Sequence, residues 1–544
     1  MGLGLVWNAL GNFSSSSEAE EGVKKHMGAL VSNALLFWIS STALVLILLI
    51  SIIKFLYSVW IKPKMVERYL NKQGVKGPSY KFMYGNAKEM MMLSRKAQSK
   101  PMNISHDIMP RVNPFLQNKM MEYGKMFLVW FGTTPRVIIL DPKLIRDFMS
   151  NKTDELEKLK LSSNAQLFVT GVAKYEGDKW VKHRKILNPA FHMEKLKRML
   201  PAFSICCNEL INKWDNLVAS TGSSEVDVWP EFRDFTGDVI SRAAFGSSFE
   251  EGRRIFQLQI EQAQLFFKTQ RVSAFSVFSF LPSKENSRRK EIYNEVRALL
   301  RKIIVNRMNA IRRGEMVKDD LLGLLMESNL NESQSGNSMT MDEVIEECKL
   351  FYFAGQETTS ILLSWTMVLL GMNPDWQNRA RDEVLQVFGE SEPNFDDLSK
   401  LKIMTMILNE VLRLYPPTTT LLRTTRKKIK LGDIYYPAGV QLFTPVHMLH
   451  HDPDLWGEDV NEFNPERFSG GIAKASKDQL SFFPFGWGPR ICIGQNFALI
   501  EAKVALSKIL QHFSFELSPS YAHAPQVLLN LYPQRGAQII LRKL

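Results

Sequence analysis

Cysteine is scarce: the 544 residues hold four, Cys206, Cys207, Cys348 and Cys492. No two of them form a CxxC pair, so neither a disulfide scaffold nor a structural zinc site is available. Glycine (31) and proline (24) are too few for a fibrous or linker-rich chain. Lys plus Arg outnumber Asp plus Glu by 68 to 56, a net charge of +12, yet long basic blocks are absent. The clustered stripe of a nucleic-acid binder is therefore missing. The excess reads as a solvated basic surface, or as attraction to an anionic membrane face or an acidic protein partner. What is there is the composition of a globular protein with a large core, 45% apolar and 23% charged.

Charge is missing from one further place. Met27 to Ile53 contains no Asp, Glu, Lys, Arg or His, and Ala43 to Ile50 is almost pure hydrocarbon. At ~1.5 Å per residue this run exceeds the ~30 Å of a bilayer core. A cleaved signal peptide would have a shorter apolar stretch and a small-residue cleavage motif, so a retained anchor is expected. Glu18, Glu20, Glu21, Lys24 and Lys25 precede it, whereas Lys54, Lys62, Lys64 and Arg68 follow. Positive charge stays cytosolic, which predicts a lumenal N-terminus. The expected division is a lumenal tail (1–26), an anchor (27–53), a basic, Gly/Pro-containing linker (54–80) and a cytosolic body (81–544). Asn12-Phe-Ser14 matches a glycosylation sequon, a pattern common by chance, and is left unassigned.

Within the body, Gly74, Gly77, Pro78, Gly85 and Asn86 make a turn-rich stretch. Met126–Phe131 and Arg136–Leu140 read as paired strands around Gly132-Thr-Thr-Pro135. From about 141 to 427 the pattern is one of long amphipathic helices, with a polar loop over 318–337; 418–492 is rich in turns and strands. There is no internal repeat. The expected fold class is mainly α with small β-sheets, one body behind one N-terminal transmembrane helix.

Phe485-Gly-Trp-Gly-Pro-Arg-Ile-Cys-Ile-Gly494 packs three glycines and one cysteine into ten residues ahead of an apolar helix, Phe497–Leu510. Glycine lets backbone approach a flat object closely. A helix N-terminus and Arg490 beside Cys492 would favour a thiolate, as an anionic sulfur ligand to haem iron requires. On these residues alone, a buried free cysteine beside a tight turn fits equally well. The full pattern, Phe-x-x-Gly-x-Arg-x-Cys-x-Gly, resembles the haem-binding signature of the cytochrome P450 family. The likeness covers roughly Gly74 to Leu544 and is closest to plant enzymes related to secologanin synthase.

That resemblance implies the cytochrome P450 fold and haem b bound through Cys492 as axial thiolate. Electrons would come from NADPH through NADPH–cytochrome P450 reductase, and oxygen from O2 would enter a C–H or C–C bond. It also gives roles to other motifs. Glu410 and Arg413, an i, i+3 pair that is otherwise a surface contact, would join Arg467 of Pro465-Glu-Arg-Phe468 in a buried structural cluster. Ala354-Gly-Gln-Glu-Thr-Thr359 lies in a long apolar helix, about 344–370. Its Gly355 weakens the helix by ~1 kcal/mol relative to Ala, which implies a close approach. Glu357 and Thr358 would be the acid–alcohol pair over the distal haem face, instead of a solvated glutamate and a threonine bonded to its own helix.

Trp180 and Arg184, i and i+4 on one helix, are donors without acceptor capacity. With Arg423, Phe485 and Arg490 they are the implied haem-binding residues beside Cys492. Lys182, His183 and Lys185 leave that helix basic elsewhere, suited to docking the reductase. Substrate-facing regions would fall near 155–175, 260–275, 350–360, 417–423 and 527–533. Relatives imply a terpenoid: first an iridoid of the loganin or loganic acid type, with a triterpenoid or a gibberellin as alternatives. Thr418, Thr419 and Thr420 favour an oxygenated substrate if they face the pocket. Glu155 to Gln166 departs from the relatives. The resemblance places the protein in the endoplasmic reticulum membrane. A haem-thiolate isomerase or lyase without reductase is the competing class, and retention of Glu357 and Thr358 argues against it.

Overall fold

The computed structural model describes residues 17–150, 155–159, 167–168, 170–247, 249–273, 284–314, 320–331, 338–478 and 480–544. Asn12 and residues 160–166 of the divergent Glu155–Gln166 stretch lie outside these. The chain divides into two units, Met1–Met65 and Val66–Leu544.

The first unit is dominated by α1, Ser17–Leu56. The described side chains of the apolar stretch are exposed nearly throughout, the condition of a helix whose solvent is lipid rather than protein. Among the described residues one helix is long and apolar enough to cross a membrane, running with its continuation over Glu21–Asn71. The expected linker at 54–80 is therefore helical to Asn71, through a π-helical turn at Tyr57–Ile61 and a further α segment, Lys62–Asn71. Pro63 is tolerated because it falls just past the π turn, where the i to i+4 ladder is already interrupted. The compact body begins at Val66, earlier than the expected residue 81.

The second unit is mainly helical with small sheets. Seven of its helices carry the argument: α2 (Gly177–Leu187), α3 (Val228–Phe245), α4 (Phe249–Ser273), α5 (Lys284–Arg312), α6 (Met341–Met372), α7 (Lys402–Leu414) and α8 (Gln495–His512). α6 is the axis of the core. It starts at a capping box: Thr340 Oγ1 accepts from the Glu343 N–H (3.2 Å), and the Glu343 carboxylate accepts from the Thr340 N–H (3.0 Å). It stops at Asn373, whose successor Pro374 opens the next helix. α3 lies along it and α7 and α8 pack around it. The polar loop expected over 318–337 instead contains a helix, Leu321–Asn331. Leu321, Leu322 and Leu325 bury into the core, and Asp320 accepts the Gly323 N–H at 2.7 Å to cap it.

A five-stranded sheet flanks the helices: β1 (Met126–Phe131), β2 (Thr134–Ile139), β3 (Leu156–Glu157), β4 (Thr420–Thr425) and β5 (Gln441–Pro445), in spatial order β1-β2-β5-β4-β3. The predicted hairpin is present, with Met126 opposite Ile139 and Gly132 at φ +61° in the turn. β3 pairs antiparallel with β4, Leu156 opposite Thr425 and Glu157 opposite Thr424. A three-stranded sheet joins Ser223–Asp227, Gln538–Lys543 and Phe513–Leu517.

Candidate functional site

The cysteine loop is built by hydrogen bonds and two left-handed glycines. The Cys492 N–H donates to the Phe485 carbonyl (2.9 Å), which closes the loop. Gly488 sits at φ +73°, and a Cβ there would lie 2.7 Å from the Met149 carbonyl, so only glycine fits. Trp487 Nε1 donates to Ser150 Oγ (3.1 Å), tying the loop to helix Pro142–Ser150. Gln495 then opens α8 three residues beyond the sulfur.

Cys492 is accessible, and it is also crowded by protein. The two together place it in a recess rather than on a convex surface. Burial pushes its thiol pKa up, opposed by the Gly494 N–H and by Arg184. Here the structure differs from expectation: the helix start and Arg490 do not by themselves make this sulfur a thiolate, because desolvation outweighs them. A thiolate at this position needs a further positive charge, which a bound metal ion supplies.

Four cations gather beside it. Arg490 lies with its guanidinium 4.4 Å from the Trp180 ring centroid and donates to the Tyr175 carbonyl (2.8 Å) and the Glu176 carboxylate. Arg184 is half-buried, its pKa lowered by burial and raised toward Cys492. Arg423 is buried; burial and then Arg490 lower it to about 10. Lys158 is the fourth, and no sequence motif marked it. It follows directly on β3, near enough to Arg423 and Arg490 for their charges to act on it, and its Nζ donates to the Ala173 carbonyl. Burial, then Arg423 and Arg490, lower it to about 7. Among the described residues only Arg490 of the four is ion-paired, with Glu176. Four desolvated cations against one carboxylate are unstable without an anion between them.

α6 carries a second partly accessible surface inside the body. Its turns are buried before and after one stripe of partial exposure: Leu350, Phe353, Ala354, Glu357 and Thr358. Accessible surface at helical spacing between fully buried turns is cavity wall. Glu357 Oε2 lies 3.8 Å from Arg233 Nε, and burial raises the Glu357 pKa against that cation. Thr358 Oγ1 donates to the Ala354 carbonyl of its own helix (2.8 Å), so the back-bonded alternative holds for its proton while its lone pairs stay free. Gly355 is explained by packing: a Cβ there would lie 2.7 Å from Ile240 Cγ1 on α3. Thr236 of α3 also donates to the Gln356 carbonyl (2.9 Å).

Away from the cavity, Arg413 and Glu410 form a bidentate, wholly buried pair (Nε–Oε2 2.8 Å, Nη2–Oε1 2.7 Å). Arg413 also donates to the His450 and Val460 carbonyls. Arg467 comes within 3.8 Å of Glu410 but spends its hydrogen bonds on Asp459 and the Trp456 carbonyl. The docking face read on α2 needs correction. His183 is wholly buried, and Lys182 is half-buried with its Nζ on the Ser338 carbonyl; Lys185 alone of the three is exposed.

The cytochrome P450 family model matches residues 109–537. The chain belongs to the cytochrome P450 family. Among relatives, cytochrome P450 CYP72A616 of Paris polyphylla is 57% identical over 490 residues, 89% of this chain and 95% of that protein. Cytochrome P450 72A397 of Kalopanax septemlobus is 53% identical over 495 residues, 90% and 95%. A protein named 11-oxo-beta-amyrin 30-oxidase, from Glycyrrhiza uralensis, is 51% identical over 515 residues, 93% and 98%. P450s are monooxygenases that bind haem through a thiolate and draw on NADPH through a reductase. The residues present fit that group: a recessed thiol whose anionic form burial disfavours, beside four cations that share one carboxylate.

Proposed function

We propose that this P450 oxidises a polycyclic plant terpenoid, with a triterpenoid as the preferred substrate class. Cys492 would ligate the haem iron, and Lys158, Arg184, Arg423 and Arg490 would hold the haem carboxylates, with Trp180 bracing Arg490 and Phe485 closing the cysteine loop. When bound, the haem supplies O2 activation and oxygen transfer to carbon. The protein sets what approaches and where protons come from. Glu357, its pKa raised by burial, can hold a proton on its carboxyl, and Thr358 Oγ1 can accept one while bonded to the Ala354 carbonyl.

The observation that carries the substrate reading is an aromatic wall. Phe168 stacks on Phe266 of α4 (5.8 Å) and meets Phe353 of α6 edge-on (4.8 Å), and Phe353 lies on the partly exposed stripe. Such a wall suits a flat hydrocarbon skeleton better than a glycoside. The relative named as an oxidase of 11-oxo-beta-amyrin supports it. The iridoid reading keeps one observation in its favour: Thr418 and Thr420 are accessible while Thr419 is buried, so two hydroxyls are free for an oxygenated substrate.

The exposed apolar helix and its basic C-terminal flank support anchoring in the endoplasmic reticulum membrane with the body cytosolic. The test is expression in microsomes with reductase, assayed for oxidised product against triterpenoids, iridoids and gibberellins. NADPH- and O2-dependent turnover of a triterpenoid is expected. Turnover of iridoids alone reverses the substrate order, and rearrangement without NADPH would make the protein an isomerase.

A further inference from the structure

Glu347 is a charged residue in the middle of the core, on α6 about three turns before the acid–alcohol pair. It and His183 of α2 are both wholly buried, with His183 Nδ1 2.6 Å from Glu347 Oε1. The other oxygen, Oε2, accepts the Val172 N–H at 3.0 Å. Gly171 makes that contact possible: it has φ +67°, and a Cβ there would lie 2.7 Å from Oε2. One carboxylate thus joins three pieces of chain: α6, α2 and the loop 171–176. Burial of such a group is tolerable only because both oxygens are engaged. The Tyr175 ring closes the arrangement, edge-on to His183 at 4.6 Å.

Those two attached pieces are the ones that hold the cations. On the loop, the Ala173 carbonyl receives Lys158 Nζ, the Tyr175 carbonyl receives Arg490 Nη1, and Glu176 takes Arg490 and the Lys158 N–H. On α2, Arg184 follows His183 directly, and Trp180, one turn earlier, lies against the Arg490 guanidinium. Three of the four cations are therefore oriented by elements that meet at Glu347, while Arg423 sits on β4 and does not depend on them.

We propose that Glu347 and His183 are a positioning pair for the haem-carboxylate cradle. The carboxylate sets the loop through Val172 and sets α2 through His183, and so fixes where Lys158, Arg184 and Arg490 present their charges. Neither residue touches the cofactor. The inference rests on the reading of the four cations as that cradle.

The test uses the full-length holoenzyme in lipid nanodiscs and measures the rate of haem transfer to apomyoglobin, well below the unfolding temperature. Glu347→Ala and His183→Phe are expected to lose haem about tenfold faster or more, the usual scale for groups that orient ligands from behind. His183→Asn, which places an N–H donor where Nδ1 stood, is expected to stay within about twofold of the parent. Cys348→Ala removes a buried group from the same helix and is the control for general loosening; its haem loss should match the parent. Parent-like haem loss in Glu347→Ala, with faster loss in Lys158→Met, overturns the positioning role and leaves the cradle standing. Parent-like loss in both Lys158→Met and Arg184→Ala removes the cradle itself. If Glu347→Ala does not fold, the two histidine variants decide, and equal haem loss in His183→Asn and His183→Phe overturns the proposal.

Discussion

At the scale of single residues, the site works by leaving charges unbalanced. Cys492 sits in a place where its thiolate is disfavoured, and Lys158, Arg184 and Arg423 sit where cations are. Each imbalance is the complement of one part of a haem: a positive metal, negative side chains. Cys492→Ala should therefore abolish the long-wavelength Soret band of the reduced carbon monoxide adduct, and a surviving band would reassign the ligand. Thr358 is different, because its hydroxyl is already satisfied by Ala354. Thr358→Ala should leave that spectrum intact while NADPH consumption runs ahead of product. Unchanged coupling, measured as product per NADPH, would remove Thr358 from the proton path.

Elements meet this site through small residues at their crossings. Gly355 allows α6 to approach Ile240 of α3, so Gly355→Ala should cost about 1–3 kcal/mol by overpacking. Ile240→Ala alone should also destabilise, by leaving a cavity. Together the two should cost clearly less than their sum, since each relieves the other's defect; additive unfolding energies would show that α3 is not what crowds Gly355. The same scale explains what could be read in advance. The helix after the cysteine loop, the α6 helix and the β1–β2 hairpin are local, their signals contained within a few turns of chain, and these elements form where the pattern put them. Lys158 and the true place of His183 are not local. One depends on β3 meeting β4, the other on a glutamate 164 positions away. The helix Leu321–Asn331 was missed for another reason: polar residues on both sides masked a short apolar run that the core takes up.

For the molecule as a whole, the buried histidines set the response to acid. Burial lowers His106, His447 and His523 to about 4 and His450 to about 3. The unfolded chain protonates these rings near pH 6.5, whereas the folded chain refuses the protons until far lower. Their contribution is thus fully present above about pH 6.5 and is lost as the pH falls toward 4. The unfolding midpoint should drop measurably between pH 7 and pH 5, with proton uptake on unfolding in that range. A flat profile would mean that these rings are not neutral in the folded protein.

β3 is two residues long, and directly after it Lys158 comes within electrostatic reach of Arg423 on β4. So short an edge has little to hold it in register, and like charges at its tip push it outward. A dianion seated between those charges would turn the repulsion into a clasp. Amide hydrogens at Leu156 and Glu157 should then exchange quickly in protein purified without cofactor and slowly once it is loaded, making this scrap of sheet a gauge of how much of a preparation carries its pigment.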